Sequence, residues 1–184
     1  MSTTQREDIL HRGAKFDFAR VTMIGRGGSE ITREVVRHPG AVCVCPLLET
    51  PEGPRVVLIR NTRFTIDETL LELPAGTLEA GEDPAVAATR ELEEETGYRC
   101  EGVEPIGTFL TTPGMTDEVM HAFVATGLSH VGQRLEADER IEVELMATGR
   151  AIESVVSGEM RDAKSMLTLL LALHKGLLAG GGGA

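Results

Sequence analysis

The stretch "DPAVAATRELEEETG", Asp83 to Gly97, constrains the fold of this chain more than any other. Asp83 offers an oxygen where the first amides of a helix need an acceptor. Pro84 suits the first helical position, and Gly97 permits the left-handed turn that stops a helix. A helix bounded in this way sets Ala85, Ala88 and Leu92 along one stripe that can be buried. It also sets Glu91 and Glu95 one turn apart with Glu94 beside them, while Glu93 points away from Glu91. Three carboxylates therefore converge at the edge of a packed face, in a chain whose net charge is already −11.

Like charges at that spacing cost roughly a few tenths of a kcal/mol per pair on an open helix, and more where partly buried. A divalent cation turns the cost into binding. Hard oxygen donors on one element, with no His or Cys among them, suit Mg²⁺ or Mn²⁺ rather than zinc. A solvated acidic face is the bland alternative, because charge runs are common.

β-Branched and alternating runs predict strands at "FDFARVTM", "ITREVVRH", "AVCVCPLL", "RVVLIRN" and "TLLELPAG" before the helix, and at "PIGTFLT", "EVMHAFVATGL" and "IEVELM" after it. From Ala151 onward the pattern turns helical, with Asp162 capping "AKSMLTLLLALHKGLL". The order is β-rich, helix, β-rich, helix. "HPG" at His38 to Gly40 divides the chain into a β-rich N-terminal arm, residues 1–39, and a main domain, residues 40–178; residues 179–184 read as a flexible Gly-rich tail.

With 29 Asp plus Glu against 18 Lys plus Arg, neither nucleic acid nor an anionic membrane is expected as the main partner. Three cysteines are too few for a disulfide framework, and the N-terminal residues lack the apolar core of a signal peptide, which together point to the cytoplasm. Cys43 and Cys45 share one strand face and read as buried packing. The five histidines show no ligand spacing, and "GRGGSE" at Gly25 to Glu30 reads as a hairpin turn rather than a phosphate cradle.

Gly76 is followed after five residues by Glu82, and then after seven by Arg90, Glu91, Leu92, any residue, Glu94, Glu95, any residue and Gly97. This pattern resembles the defining box of the Nudix hydrolases. Every fixed position through Gly97 matches; Tyr98 departs from an expected aliphatic residue, which bears on packing more than on chemistry. The resemblance implies an α/β/α sandwich with a mixed sheet. It implies that Glu91 and Glu95, with Glu94 and the Ala75 carbonyl, are ligands of Mg²⁺, or of Mn²⁺, and that Arg90 and Glu82 form a pair orienting them. The reaction it implies is hydrolysis of a nucleoside diphosphate linked to another group.

Sixteen residues beyond Gly97, Pro113 in "TTPGMTDE" looks like the marker of the ADP-ribose pyrophosphatase subgroup, and "REVVRHPGAV", "VVLIRNTRF" and "LELPAG" agree with it. The subgroup resemblance spans about residues 31–175. It implies a homodimer with exchanged arms that cleaves ADP-ribose to AMP and ribose 5-phosphate. It further implies Arg33 and Glu34 near adenine, Arg63 at the diphosphate, Glu139 as general base, and Phe16 or Phe18 as the aromatic that stacks on adenine. Glu136, Asp138 and Glu142 crowd Glu139 and remain alternatives for the base. Another nucleoside diphosphate sugar such as GDP-mannose, or a sensor that binds ADP-ribose without cleaving it, are the competing readings.

Overall fold

The computed structural model describes residues 4–135, 137 and 139–178; the expected tail, and the loop acids Glu136 and Asp138, lie outside them. The N-terminal arm is a three-stranded antiparallel sheet of β1 (Thr4–Arg12), β2 (Asp17–Ile24) and β3 (Glu30–Arg37), with β2 in the middle. The turn expected at Gly25 to Glu30 joins β2 to β3, and Gly27 and Gly28 supply its positive φ values of 89° and 85°. Ala19 and Val21 are buried on one face of β2, whereas Phe18 and Ile24 are exposed, as are Ile9 and Leu10 of β1. The sheet is too small to cover both of its faces.

The main sheet is mixed and built around β4 (Ala41–Leu48). On one side β4 runs parallel to β10 (Val119–Thr126), which pairs antiparallel with β9 (Gly102–Leu110). On the other side it pairs antiparallel with two strands in turn. β7 (Ala75–Thr77) takes the N-terminal half, Ala41 to Cys43, and β5 (Arg55–Arg63) takes Leu47 and Leu48. β5 also holds β6 (Glu68–Glu72) and β12 (Ile141–Ala147). The sheet splits where β5 leaves β4, and the segment Leu73 to Gly76 fills the split, anchored by the Val44 amide on the Pro74 carbonyl at 2.9 Å.

Alternation along β4 creates the layers. Val42 and Val44 face α1 (Pro84–Thr96), packing with Ala87, Ala88, Leu92, Phe123 and Ala125. Cys43, Cys45 and Leu47 face the opposite way, into a core shared with Ala151 and Val155 of α2 (Thr148–Ser157) and Leu169 and Ala172 of α3 (Ala163–His174). Both cysteines are fully buried packing residues, and burial pushes the Cys43 thiol up to about 12 and Cys45 higher. The result is the expected α/β/α sandwich, and no helix among the described residues is long and apolar enough to cross a membrane.

The C-terminal helical region begins earlier than Ala151 and is divided in two, because Gly158 at φ 79° ends α2. Asp162 caps α3 as expected, accepting from the Ser165 amide. A two-residue ladder that the sequence pattern did not indicate, β8 (Tyr98–Arg99) with β11 (Ser129–His130), extends the chain beyond α1. It carries an edge-to-face contact of Tyr98 with His130 at 5.2 Å between centroids, so the aromatic that departs from the box pattern has a local packing role.

Candidate active site

The caps of α1 are those expected from the sequence. Asp83 Oδ1 accepts from the Ala85 amide at 2.8 Å, and Gly97, at φ 71°, donates to the Glu93 carbonyl at 2.9 Å. Gly97 has a second reason to be glycine: a Cβ there would stand 2.7 Å from the backbone of Gly132 and Gln133. The loop after β11 closes over this end of the helix. The Val131 and Gly132 amides donate to the Gly97 carbonyl, the Arg134 amide to the Glu94 carbonyl, and the Gln133 side chain to the Glu95 carbonyl at 2.7 Å. These contacts satisfy carbonyls that a helix end leaves without partners, and they fix the start of the loop that leads to Glu139.

The four glutamates have different fates. Glu93 leaves the cluster, as expected, and pairs with Arg99 and Arg134 on the outside. Glu95 is buried, and its Oε2 accepts from the Ala75 amide at 2.8 Å. Glu91 packs so closely on β7 that a Cβ at Gly76 would lie 1.9 Å from its carboxyl carbon. Arg90 Nη1 stands between Glu91, at 2.7 Å, and Glu94, at 3.2 Å, while its Nε and Nη2 grip Glu82 at 2.9 and 3.0 Å. The predicted Arg90–Glu82 pair is therefore present, and Glu82 also caps the Glu79 amide at 2.9 Å.

One expectation needs correction. The three carboxylates do not meet at a single point: Arg90 separates Glu91 from Glu94, and Glu95 turns toward the β7 backbone, so among the described residues no three acidic, imidazole or thiolate groups close a metal cage. The charge balance nonetheless fits a cation. Burial pushes Glu95 up to about 8, with the Glu91 and Glu139 charges adding to the effect; burial also raises Glu91, with Glu94 and Glu139 adding. Arg90 is shared with Glu82, and the Lys164 and Arg63 charges that reach Glu95 are themselves paired with Glu72, so these acids are short of positive charge; hard oxygen donors of this kind suit a hard divalent ion. Glu91, Glu94 and Glu95 are the side chains that could hold it, with Ala75 on the adjoining strand.

Glu139 lies close enough for its charge to act on both Glu91 and Glu95. Glu142, one of the alternatives, stands instead on β12 opposite Arg60. Arg63, at the end of β5, is half-buried and held by Glu72 through Nε at 2.8 Å and Nη2 at 2.5 Å. Its partner Glu72, and Lys164 beside it, were not singled out by the sequence. The only signal was a glutamate in the apolar run "TLLELP", and its lysine partner lies 92 residues away.

The arm residues are placed elsewhere. Arg33 donates to the carbonyl of Thr32, Glu34 faces Arg20 at 3.5 Å, and both are exposed. Phe16 and Phe18 are 51% and 40% exposed, so neither is core, and Phe16 precedes β2 rather than lying in it. Among the described residues no hydrogen bond or ion pair joins these four to the glutamate cluster. Pro113 sits in an exposed turn whose Met115 carbonyl accepts from the Val36 amide at 2.9 Å, so this turn docks on the arm. Arg37 reinforces the junction through Glu7 and Asp117, at 2.7 and 2.9 Å.

The NUDIX domain profile matches residues 37–164, which include every element around the glutamate cluster. The chain belongs to the Nudix family and is a Nudix hydrolase. It is 42% identical over 140 residues to an ADP-ribose pyrophosphatase of Bacillus subtilis, covering 75% of this chain and 74% of that protein. It is 40% identical over 144 residues to a methanol dehydrogenase activator of Bacillus methanolicus, covering 77% and 76%. The crystal structure of an ADP compounds hydrolase superposes with a TM-score of 0.80 at 18% identity, covering 97% of this chain and 95% of that one, which supports the fold. Nudix hydrolases generally use divalent metal ions, in keeping with the donor set on α1.

Proposed function

We propose that this hydrolase cleaves the pyrophosphate bond of ADP-ribose, with Mg²⁺, or Mn²⁺ in its place, to give AMP and ribose 5-phosphate. The observation that carries the hydrolytic reading is the charge-deficient row of Glu91, Glu94 and Glu95, with Glu95 buried and Glu91 packed on Gly76. Similarity to a protein named ADP-ribose pyrophosphatase supports the substrate.

Glu91, Glu94, Glu95 and the Ala75 carbonyl would hold the metal, which would supply charge neutralisation for phosphate oxygens and a lower pKa for water. Arg90 orients Glu91 and Glu94, since its guanidinium reaches both and is itself fixed by Glu82. Arg63 holds the diphosphate. Glu139 removes a proton from water as the water oxygen bonds to one phosphorus; the bridging P–O bond breaks, and the second phosphate leaves as a monoester. This assignment is supported by the Glu139 charge reaching the two buried glutamates.

In this reading the adenine contacts come from the arm, residues 1–39, of a second copy. Phe16 or Phe18 stacks on the base, Arg33 and Glu34 approach it, and the Pro113 turn holds the arm in place. The exposed Ile9, Leu10, Phe18 and Ile24 of the arm favour such a homodimer. The protein then works in the cytoplasm on a small anionic substrate, with residues 40–178 as its catalytic unit.

The test is release of phosphomonoester from ADP-ribose, ADP-glucose, GDP-mannose and NADH at fixed Mg²⁺. Preference for ADP-ribose is expected. Preference for GDP-mannose or another member would replace the substrate, and stable binding of ADP-ribose without turnover would make the protein a sensor.

A further inference from the structure

Across the Leu73 to Gly76 segment from the glutamates lies a second buried charge cluster, which the mechanism above uses only through Arg63. The Glu72 carboxylate is 1% exposed and accepts from Arg63 and, at 2.7 Å, from Lys164 Nζ. Lys164 Nζ also donates to Asp162 Oδ2 at 2.8 Å. Asp162 caps α3 by accepting from Ser165 N at 3.1 Å and Ser165 Oγ at 2.5 Å, and that hydroxyl oxygen accepts from the Leu73 amide at 2.7 Å. The end of β6 and the first turn of α3 are thus one unit with two cations and two anions. Burial alone would lower the Lys164 pKa, but Asp162 and Glu72 outweigh it and keep the ammonium charged.

How Glu72 is shared bears on what Arg63 can do. An arginine paired bidentately with a carboxylate of its own is neutralised toward any other anion. Glu72 is not Arg63's alone, because Lys164 shares the same Oε2. By drawing on the same carboxylate oxygen, Lys164 reduces the share of the Glu72 charge that falls on Arg63, whose side chain is 38% exposed and also feels the Asp162 and Glu95 charges.

We propose that Lys164 is a positioning residue for diphosphate binding: by sharing Glu72 it leaves Arg63 with charge to hold the substrate anion, without touching that anion itself. The inference rests on Arg63 as the diphosphate contact in the function proposed above. Glu72 and Asp162 are then an alignment device rather than packing.

The experiment measures the Kd of inorganic pyrophosphate with Mg²⁺ by calorimetry, alongside KM and kcat, for wild type, Lys164→Met, Glu72→Gln and the double variant. Lys164→Met should weaken pyrophosphate and raise KM by about tenfold, with kcat changed less than about threefold. Glu72→Gln should tighten pyrophosphate, and the double variant should restore binding to within about threefold of wild type, because Arg63 again lacks a full counterion. A merely structural lysine would lower stability in urea unfolding while leaving the pyrophosphate Kd of the folded protein unchanged. Unchanged pyrophosphate binding in Lys164→Met, no rescue in the double variant, or no binding by wild type overturns the proposal. Should Lys164→Met not fold, Glu72→Gln decides: tighter binding supports the role, and unchanged or weaker binding overturns it. Normal pyrophosphate behaviour without turnover of ADP-ribose would count against the substrate alone.

Discussion

Two clusters of buried charge flank the segment Leu73 to Gly76, and they differ in arithmetic. On one side Arg63 and Lys164 meet Glu72 and Asp162, two charges of each sign, linked by contacts of Arg63 with Glu72, Lys164 with Glu72 and Lys164 with Asp162 at 2.5 to 2.8 Å. On the other, Glu91 and Glu94 share a single guanidinium that is already committed to Glu82, and Glu95 beside them accepts from the Ala75 amide. The balanced cluster keeps its lysine charged despite burial, whereas in the unbalanced one burial drives Glu95 up to about 8. A closed set of charges positions a structure; an open set waits for a cation.

The largest effect should come from deepening the contrast. Glu91→Gln removes an anionic donor from the unbalanced side and should lower metal-dependent turnover by on the order of a thousandfold, since polarisation by a metal is worth several kcal/mol at roughly 1.4 kcal/mol per tenfold. Steady-state rates at saturating Mg²⁺ check this; a rate within tenfold of wild type would make the cluster an acidic surface. Next, Glu139→Gln should reduce kcat by about a hundredfold with KM little changed, in line with loss of a general base. An unchanged kcat would move the base to another residue.

A smaller effect follows from the packing that brings β7 against the helix. Gly76→Ala places a methyl group 1.9 Å from the Glu91 carboxyl carbon, so Glu91 or β7 must shift. A loss of about 1–3 kcal/mol in urea unfolding is expected, with reduced metal affinity. Wild-type stability and affinity would show that Glu91 need not sit there.

The smallest effect is on the metal-free protein and has a definite sign. Glu95 titrates at about 8 when folded and near 4.5 as a free side chain, so between those values the folded state holds the extra proton. Stability from this group is therefore lost as pH rises through that window. Glu95→Gln cannot ionise, so its Tm advantage over wild type should grow from about pH 5 to about pH 8.5 in the presence of a chelator. A difference that stays flat with pH would mean that Glu95 is not strained by burial.

The sequence made the local parts legible. Asp83, Pro84 and Gly97 bounded α1 correctly because helix caps are set by neighbouring residues, and the outward turn of Glu93 follows from helical spacing. The pair of Arg90 with Glu82 was likewise anticipated. What escaped was non-local. Nothing in one dimension tells Glu72 that its partner will be Lys164, or tells Gly76 that a carboxylate will occupy the space of its missing side chain. The place of Arg90 between Glu91 and Glu94 was also missed, because helical geometry gives the direction of side chains but not which of several acids an arginine will choose. Residues of the arm were recognised by resemblance alone, and among the described residues no hydrogen bond or ion pair joins Phe16, Phe18, Arg33 or Glu34 to the glutamate cluster.

The central claim is that the unbalanced cluster is a divalent-cation site. The most direct measurement is titration of Mn²⁺ into the purified protein, followed by the loss of the free-ion electron paramagnetic resonance signal, for wild type and Glu95→Gln. Saturable binding by wild type, weakened at least about tenfold in a folded Glu95→Gln protein, is the predicted result. Equal binding by both proteins, or none by wild type, would contradict it.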